Sequence, residues 1–76
     1  MKNYEIVLKS IVDVKNFVNI TNSYDFEIEL ESDGHRADAK SIMRIFSLDL
    51  SKPITMYAYS ENVEDLENKI APFLKK

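Results

Sequence analysis

The sequence predicts an α+β fold, an open-faced two-layer sandwich in which helices cover one face of a four-stranded antiparallel sheet. Segments of apolar–polar alternation, typical of strands with one buried face, recur along the chain. Between them lie segments whose apolar residues recur at helical spacing, which gives the element order β-α-β-β-α-β-α. A chain of 76 residues is long enough for one such domain, residues 1–76, and not for two.

The apolar residues change from two-residue spacing to helical spacing near Ser10, which separates a first strand from a first helix. Apolar and polar residues alternate over Lys2–Leu8, which predicts a strand. Ser10 and Asp13 have the spacing of a capping box, so Ser10 is predicted as the N-cap of a helix from about Ile11 to Asn22. The inward stripe of that helix is expected to contain Ile11, Val14, Phe17 or Val18, and Thr21.

A β-hairpin is predicted next. Three apolar residues alternate strictly with three glutamates over Asp25–Glu31, which indicates a strand with one buried and one solvated face. Asp33-Gly34 is a favourable two-residue hairpin turn, and the return strand is expected over His35–Ala39. The small residues Ala37 and Ala39 leave room for a helix close to the sheet.

A short helix and the fourth strand follow. Ser41 is expected to open a helix from Ile42 to about Leu48, with a loop over residues 49–53. Alternation over Ile54–Tyr59 predicts the last strand.

The last helix is expected to begin near Ser60 or Asn62. Its apolar stripe contains Val63, Leu66, Ile70, Phe73 and Leu74. Pro72 is expected to kink this helix or to end its regular geometry a turn early, because proline cannot donate a backbone hydrogen bond.

The amino-acid composition argues against several classes of function. The absence of cysteine excludes disulfides, thiolate zinc sites and cysteine nucleophiles, and fits a reducing compartment. With a net charge of -3 and scattered basic residues, the chain lacks the cationic cluster that nucleic acid requires. Met1–Leu8 does not resemble a secretory signal and no apolar run is long enough to span a bilayer, so we expect no membrane partner and a cytoplasmic location.

The open face of the predicted sheet carries Glu27, Glu29, Glu31, Arg36, Tyr57 and Tyr59. The glutamates could suggest acid–base or cation chemistry, but a solvated strand face is the ordinary role of such residues. The tyrosines could stack a ligand, although cross-strand pairing is the simpler interpretation. His35 lies between aspartates at spacings that do not form a metal site without further ligands. We therefore expect no catalytic residue, no cofactor, no metal and no enzymatic activity.

The segment Lys40-Ser41-Ile42-Met43, followed by Phe46-Ser47-Leu48, resembles a known signature. It is similar to the sequence around the regulatory serine of the HPr phosphocarrier family of the bacterial sugar phosphotransferase system, which is close to Lys-Ser-Ile-Met-Gly and then Ser-Leu. The hairpin, the short helix and the last helix also fall in the family's places. The resemblance spans most of the chain, with its most specific segment at residues 40–48, and implies the HPr-like version of the fold predicted above.

The departures from the family are concentrated at its active site. HPr proteins carry Gly-Ile-His-Ala-Arg-Pro at the start of the first helix, where the histidine takes and passes on a phosphoryl group. An ungapped count back from Ser41 places Ser10 at the histidine, with Val12 and Asp13 at the arginine and proline. The resemblance therefore implies a family member that lacks the phosphoryl-accepting residue.

Two other features of the HPr family are retained in this sequence. The resemblance implies that Ser41 is a regulatory phosphorylation site, with Arg44 in place of the family glycine, although an N-cap is all that the local sequence requires of Ser41. It also implies that the short helix docks on partners, and the candidate patch is Ile42, Met43, Arg44, Phe46 and Leu48. Met43 is the residue we most expect to be exposed, with Leu48 or Leu50; Ile42, Ile45 or Phe46 are expected to fill the core.

The function implied is a regulatory or protein-interaction domain rather than a working phosphocarrier, switched by phosphorylation at Ser41. Its expected partners are proteins, among them phosphotransferase-system proteins, an HPr kinase or a transcription regulator, and we expect a monomer or a weak dimer. Two alternatives remain open. One is an unrelated small binding module of the same topology that uses its open Glu/Tyr sheet face, and the other is a phosphocarrier with a non-standard acceptor.

Overall fold

The computed structural model describes residues 1–75 and confirms the predicted fold class and element order. The strands are β1 (Lys2–Ile6), β2 (Ile28–Ser32), β3 (His35–Asp38) and β4 (Ile54–Ala58), and they form one antiparallel sheet of order β1-β4-β2-β3. The helices are α1 (Ile11–Thr21), α2 (Ile42–Ile45) and α3 (Glu64–Ile70), and a 3-10 turn at Ala71–Phe73 follows α3.

The hydrophobic core lies between the sheet and the helices. Each strand contributes its alternate inward residues, and α1 and α3 contribute their apolar stripes, so that the largest fully buried side chains include Ile6, Ile28, Leu30, Ile54, Met56, Phe17 and Leu66. The rings of Phe17 and Phe73 meet edge to face, with centroids 5.8 Å apart. The predicted inward alanines, Ala37 and Ala39, are both buried.

The inward stripe of α1 differs from the prediction at its first residue. Val14, Phe17 and Thr21 are fully buried, whereas 66% of Ile11 is exposed, so the prediction that Ile11 faces the core is wrong. The buried hydroxyl of Thr21 donates to the carbonyl of Ala39 at 2.8 Å, which ties the end of α1 to the segment that leads into α2.

Strands β1 and β2 are shorter than predicted, because both pair with β4, which is itself only five residues long. β1 ends at Ile6, whose partner Ile54 is the first residue of β4. β2 begins at Ile28 rather than Asp25, since its last partner in β4 is Ala58. Phe26, which precedes β2, packs against Tyr24 with ring centroids 5.4 Å apart.

Both later helices also differ from the prediction. α2 ends at Ile45 rather than Leu48, because Ser47 and Leu48 donate to carbonyls only three residues back. α3 begins at Glu64, with Val63 at the N-cap and no side-chain cap. Its regular geometry ends at Ile70, one turn before Phe73, in agreement with the predicted effect of Pro72.

The hairpin turn has the expected backbone. Asp33 and Gly34 have φ values of 52° and 81°, as a turn with two positive φ angles requires. No helix among residues 1–75 is long and apolar enough to cross a membrane. The same residues contain no group of three or more His, Cys, Asp or Glu side chains that could hold a metal ion.

Candidate functional site around Ser10 and Ser41

The hydroxyl of Ser10 is used as a helix cap. Ser10 has an extended backbone (φ -150°, ψ 168°), and its Oγ accepts the N–H of Asp13 at 3.1 Å. The carboxylate of Asp13 in turn accepts the N–H of Lys9 at 2.9 Å. Ser10 is therefore the predicted N-cap, whereas the bond back from Asp13 goes to Lys9, one residue before the cap, and not to Ser10 as in a capping box.

Apolar side chains surround this cap on the surface. Ile11 and Val12, in the first turn of α1, are 66% and 63% exposed. Phe46, just past the end of α2, is 44% exposed. A shallow groove of about 360 Å³ lies between the two helices and is lined by Ser10, Ile11 and Phe46, with Leu50 as a further apolar wall. The cap of α1 and the end of α2 therefore share one concave surface.

The predicted patch on α2 is only partly exposed. Met43 is 79% exposed, Arg44 and Phe46 are also exposed, and Ile42 is half-buried. Leu48 is buried, so it supports the core and adds no surface to the patch. Met43 is exposed and Ile45 is buried, as expected, whereas Phe46 is exposed and Leu48 is buried, the reverse of what was expected of these two residues. The exposed and half-buried apolar residues with Arg44 form what we call the α1–α2 surface: Ile11, Val12, Ile42, Met43, Arg44 and Phe46.

Sequence reasoning missed the contribution of α1 to this surface. Val14, Phe17 and Thr21 already complete an inward stripe, and two consecutive apolar residues in front of it cannot both continue that stripe. That surplus of apolar residues is the signal that could have identified Ile11 and Val12 as surface residues.

Ser41 caps α2 more loosely than Ser10 caps α1. Its Oγ accepts the N–H of Arg44 at 3.4 Å, and the Ser41 side chain is half-buried. The segment before it is held from two sides: Asn22 donates to the carbonyl of Lys40 at 3.1 Å, and the Lys40 ammonium donates to the carbonyl of Tyr24 at 2.6 Å. Ser41 is thus a weakly bonded hydroxyl on a well-anchored backbone.

The open face of the sheet carries a network of charged and aromatic side chains. Arg36 donates to Glu29 at 3.0 Å, lies 3.6 Å from Glu31, and stacks over the ring of Tyr57 at 4.3 Å from its centroid. The tyrosine hydroxyls of Tyr57 and Tyr59 donate to Glu31 and Glu29 at 2.7 and 2.6 Å. The hydrogen bond from Tyr59, with that from Arg36, holds the pKa of Glu29 below its usual value. The cross-strand pairing predicted for these residues is present, and each of the two carboxylates accepts a tyrosine hydrogen bond and lies beside Arg36.

Comparison with known proteins places the chain in a family. The family model described as "PTS HPr component phosphorylation site" matches residues 9–75, which include α1, α2 and every element between β2 and the end of α3. This chain belongs to the HPr family of the phosphotransferase system. The resemblance noted in the sequence at residues 40–48 is confirmed.

The relatives of this HPr-family chain include both HPr proteins and an HPr-like protein. It is 32% identical over 62 residues to the HPr-like protein Crh of Bacillus subtilis, with 79% of this chain and 73% of Crh covered. The fold matches HPr-C-His from Thermoanaerobacter tengcongensis with a TM-score of 0.79, at 25% identity and with 95% and 89% of the two chains covered.

Two further solved structures match this HPr-family chain at 25% identity. The phosphocarrier protein HPr from Bacillus anthracis matches with a TM-score of 0.67, covering 97% of this chain and 94% of that one. The Crh structure from Bacillus subtilis, described as revealing an unexpected swapped domain in an intertwined dimer, matches with a TM-score of 0.66 over 93% and 88% of the chains.

Proposed function

We propose that this HPr-family chain is a regulatory or protein-interaction protein that does not relay phosphate and that docks on protein partners through the α1–α2 surface. The observation that carries the proposal is the state of Ser10, which stands where the count from Ser41 expects the phosphoryl-accepting histidine. Its hydroxyl caps α1 between the apolar side chain of Ile11 and the carboxylate of Asp13. The chain is in this view a binding protein and not an enzyme.

The chemistry of Ser10 supports the loss of relay. A phosphorylated imidazole is a reactive phosphoramidate that transfers its phosphoryl group readily, whereas a phosphoserine is a stable ester. The carboxylate of Asp13 lies one turn on and repels an incoming phosphoryl group, and Val12 supplies no cation to offset that charge. The remaining histidine, His35, is exposed on the β2–β3 hairpin and pairs across it with Ser32.

The exposed apolar residues support docking. Ile11, Met43 and Phe46 are large exposed apolar side chains on α1 and α2, and Ile11 and Phe46 line one groove. Exposed apolar patches of this kind mark interaction sites. Met43 and Phe46 provide an adaptable thioether and a rigid aromatic ring, which are common anchors at interfaces. Arg44 lines a neighbouring cleft with Glu27, Glu29 and Asp38, so the anchors are apolar. The surface suits the phosphotransferase-system proteins, HPr kinase or transcription regulator implied by the family.

The docking proposal is tested with HPr kinase as the partner. We expect the Phe46→Ser variant to bind about tenfold more weakly than the parent, because a central aromatic anchor is removed. The matched control is Tyr59→Ser, an aromatic residue on the open face of the sheet, which should leave binding unchanged. The reverse pattern would instead support a binding module that uses the Glu/Tyr sheet face.

We further infer that Ser41 is the regulatory phosphorylation site. Its loosely bonded hydroxyl is available at a low cost in hydrogen bonding, and Arg44 on the same turn is a cation that could pair with a phosphate. Incubation with HPr kinase and ATP, followed by intact mass measurement, should add one phosphate to the parent and none to Ser41→Ala. An unmodified parent, together with an unmodified Arg44→Gly variant that restores the family glycine, would contradict the switch and leave docking to be judged on its own test.

A further inference from the structure

The sulfur atoms of the chain are all methionine thioethers. The sequence contains three methionines and no cysteine, so there is no thiol to react with an oxidant before a thioether does. Met56 lies in β4 with its side chain fully buried in the core. Met1 is 66% exposed and Met43 is 79% exposed. An oxidant dissolved in water therefore reaches the thioethers of Met1 and Met43 and not that of Met56.

Met43 differs from Met1 in its surroundings. Met1 precedes β1, at the end of that strand away from α1. Met43 is the second residue of α2, and Phe46 follows three residues later, which places the two side chains on the same side of the turn. Met43 has a larger exposed fraction than the other large apolar residues of the α1–α2 surface. Its thioether is thus an outermost contact of that surface.

We propose that Met43 is a reversible oxidation site that controls docking, with a peroxide as the oxidant. The sulfur lone pair attacks one oxygen of hydrogen peroxide, and a sulfur–oxygen bond forms as the oxygen–oxygen bond breaks. The released hydroxide takes the proton of the transferred oxygen and leaves as water, so the thioether is oxidised to a sulfoxide by two electrons. The inference rests on the proposed docking function, because Met43 belongs to the α1–α2 surface.

The reaction is reversible because cells can reduce methionine sulfoxide. Methionine sulfoxide reductases, one for each sulfoxide epimer, restore the thioether. A dithiol supplies the two electrons and becomes a disulfide, and the sulfoxide oxygen leaves as water. Since this chain contains no cysteine, the dithiol belongs to the reductase system and not to the chain.

Oxidation changes the docking surface without changing the core. A sulfoxide replaces a flexible apolar group with a polar, chiral one, and its oxygen loses its water when an apolar partner covers it. In the free protein the added oxygen meets solvent, because most of Met43 is exposed. We therefore expect oxidation to weaken docking and to leave the stability of the fold unchanged.

The test is to oxidise the full chain alone with hydrogen peroxide, remove the peroxide with catalase, and measure binding to unoxidised HPr kinase. Peptide mapping by mass spectrometry should find sulfoxide at Met43 and Met1 and none at Met56. The oxidised chain should bind about tenfold more weakly, the effect of burying one unpaired polar group, with an unchanged melting temperature. Treatment with the two sulfoxide reductases should restore the affinity.

Met43→Leu is the matched control, because leucine is an apolar residue of similar volume without sulfur, and the variant keeps Met1. It should bind like the parent, and peroxide should not change its affinity. A Met43 that stays unoxidised, equal binding of the oxidised and unoxidised parent, or equal weakening of Met43→Leu by peroxide would overturn the proposal. An unoxidised parent that does not bind would contradict the docking function itself, and this inference with it.

Discussion

At the scale of single residues, the proposed function depends on the hydroxyl of Ser10, which accepts the Asp13 N–H at 3.1 Å. A side chain that caps a helix contributes to stability whether or not it has any chemistry. Under the proposed function, the cap therefore gives a simple reason for a serine at this position.

The stability of the Ser10 variant tests this interpretation. Ser10→Ala should lower the free energy of unfolding by about 1 kcal/mol, because the first turn of α1 loses an acceptor for the Asp13 N–H. Ser47→Ala is the control, since its exposed hydroxyl only donates to the carbonyl of Arg44, and it should change stability by less than about 0.5 kcal/mol. Urea unfolding of both variants measures the difference. Equal effects of the two substitutions would show that the cap is not what Ser10 contributes.

Residue-level predictions from the sequence succeeded where a local motif decides the geometry. Both serine caps and the Asp33-Gly34 turn could be predicted, since they depend on neighbouring backbone only. The exposure of Met43 was also predicted, but the positions of Phe46 and Leu48 were not, because a helix of four residues is too short for its period to define a face. The exposure of Phe46 and the burial of Leu48 are set by how α2 lies on the sheet.

At the scale of elements, two tyrosines bond α3 to the rest of the molecule, in addition to its buried Leu66 and Ile70. It has no side-chain N-cap, and its first turn is acidic. Tyr4 of β1 donates to Glu67 and Tyr24 donates to Asp65, both at 2.5 Å. These bonds attach α3 to β1 and to the segment between α1 and β2. Sequence patterns predict the helix but not these attachments, which join residues 63 and 41 positions apart.

The same tyrosines give a prediction for alkaline pH. Burial, with the hydrogen bond to a carboxylate, raises the pKa of Tyr4 and of Tyr24 from 10.0 to about 12. A raised pKa means that the folded state keeps its proton longer than the unfolded state does. The contribution to stability is therefore complete below pH 10 and is lost as the pH rises towards about 12.

The Tyr4→Phe, Tyr24→Phe double variant isolates that contribution. It should be less stable than the parent at neutral pH. The difference between the two proteins should shrink as the pH rises above 10, because these tyrosines then ionise in the unfolded parent while the folded parent still holds their protons. Thermal unfolding followed by circular dichroism at a series of pH values gives both curves. A difference that stays constant with pH would contradict the role of the two hydroxyls.

At the scale of the whole molecule, one edge of the sheet is covered by the segment after α3. The N–H of Val7 donates to Phe73 at 2.7 Å, the N–H of Lys75 donates to Glu5 at 2.9 Å, and Ile6 forms a bridge with Leu74. At the opposite edge, β3 is only four residues long and three of them are polar or charged. Neither edge is an open template for pairing with a second chain.

Because both sheet edges are protected against pairing with a second chain, they bear on the expected oligomeric state. We expect a monomer or a weak dimer, with a mass near 8.8 kDa at about 10 μM and association only at far higher concentration. Light scattering after size-exclusion chromatography measures this directly. A stable dimer at low concentration would contradict this expectation.

The central claim, that the chain does not relay phosphate, is tested most directly by incubation with phosphoenolpyruvate and enzyme I, read by intact mass before and after mild acid. A histidine-bearing HPr serves as the positive control. The account predicts that the HPr control gains an acid-labile phosphate and that the mass of this chain does not change. An acid-labile phosphate on any residue of this chain would contradict it and would identify a phosphocarrier with a non-standard acceptor.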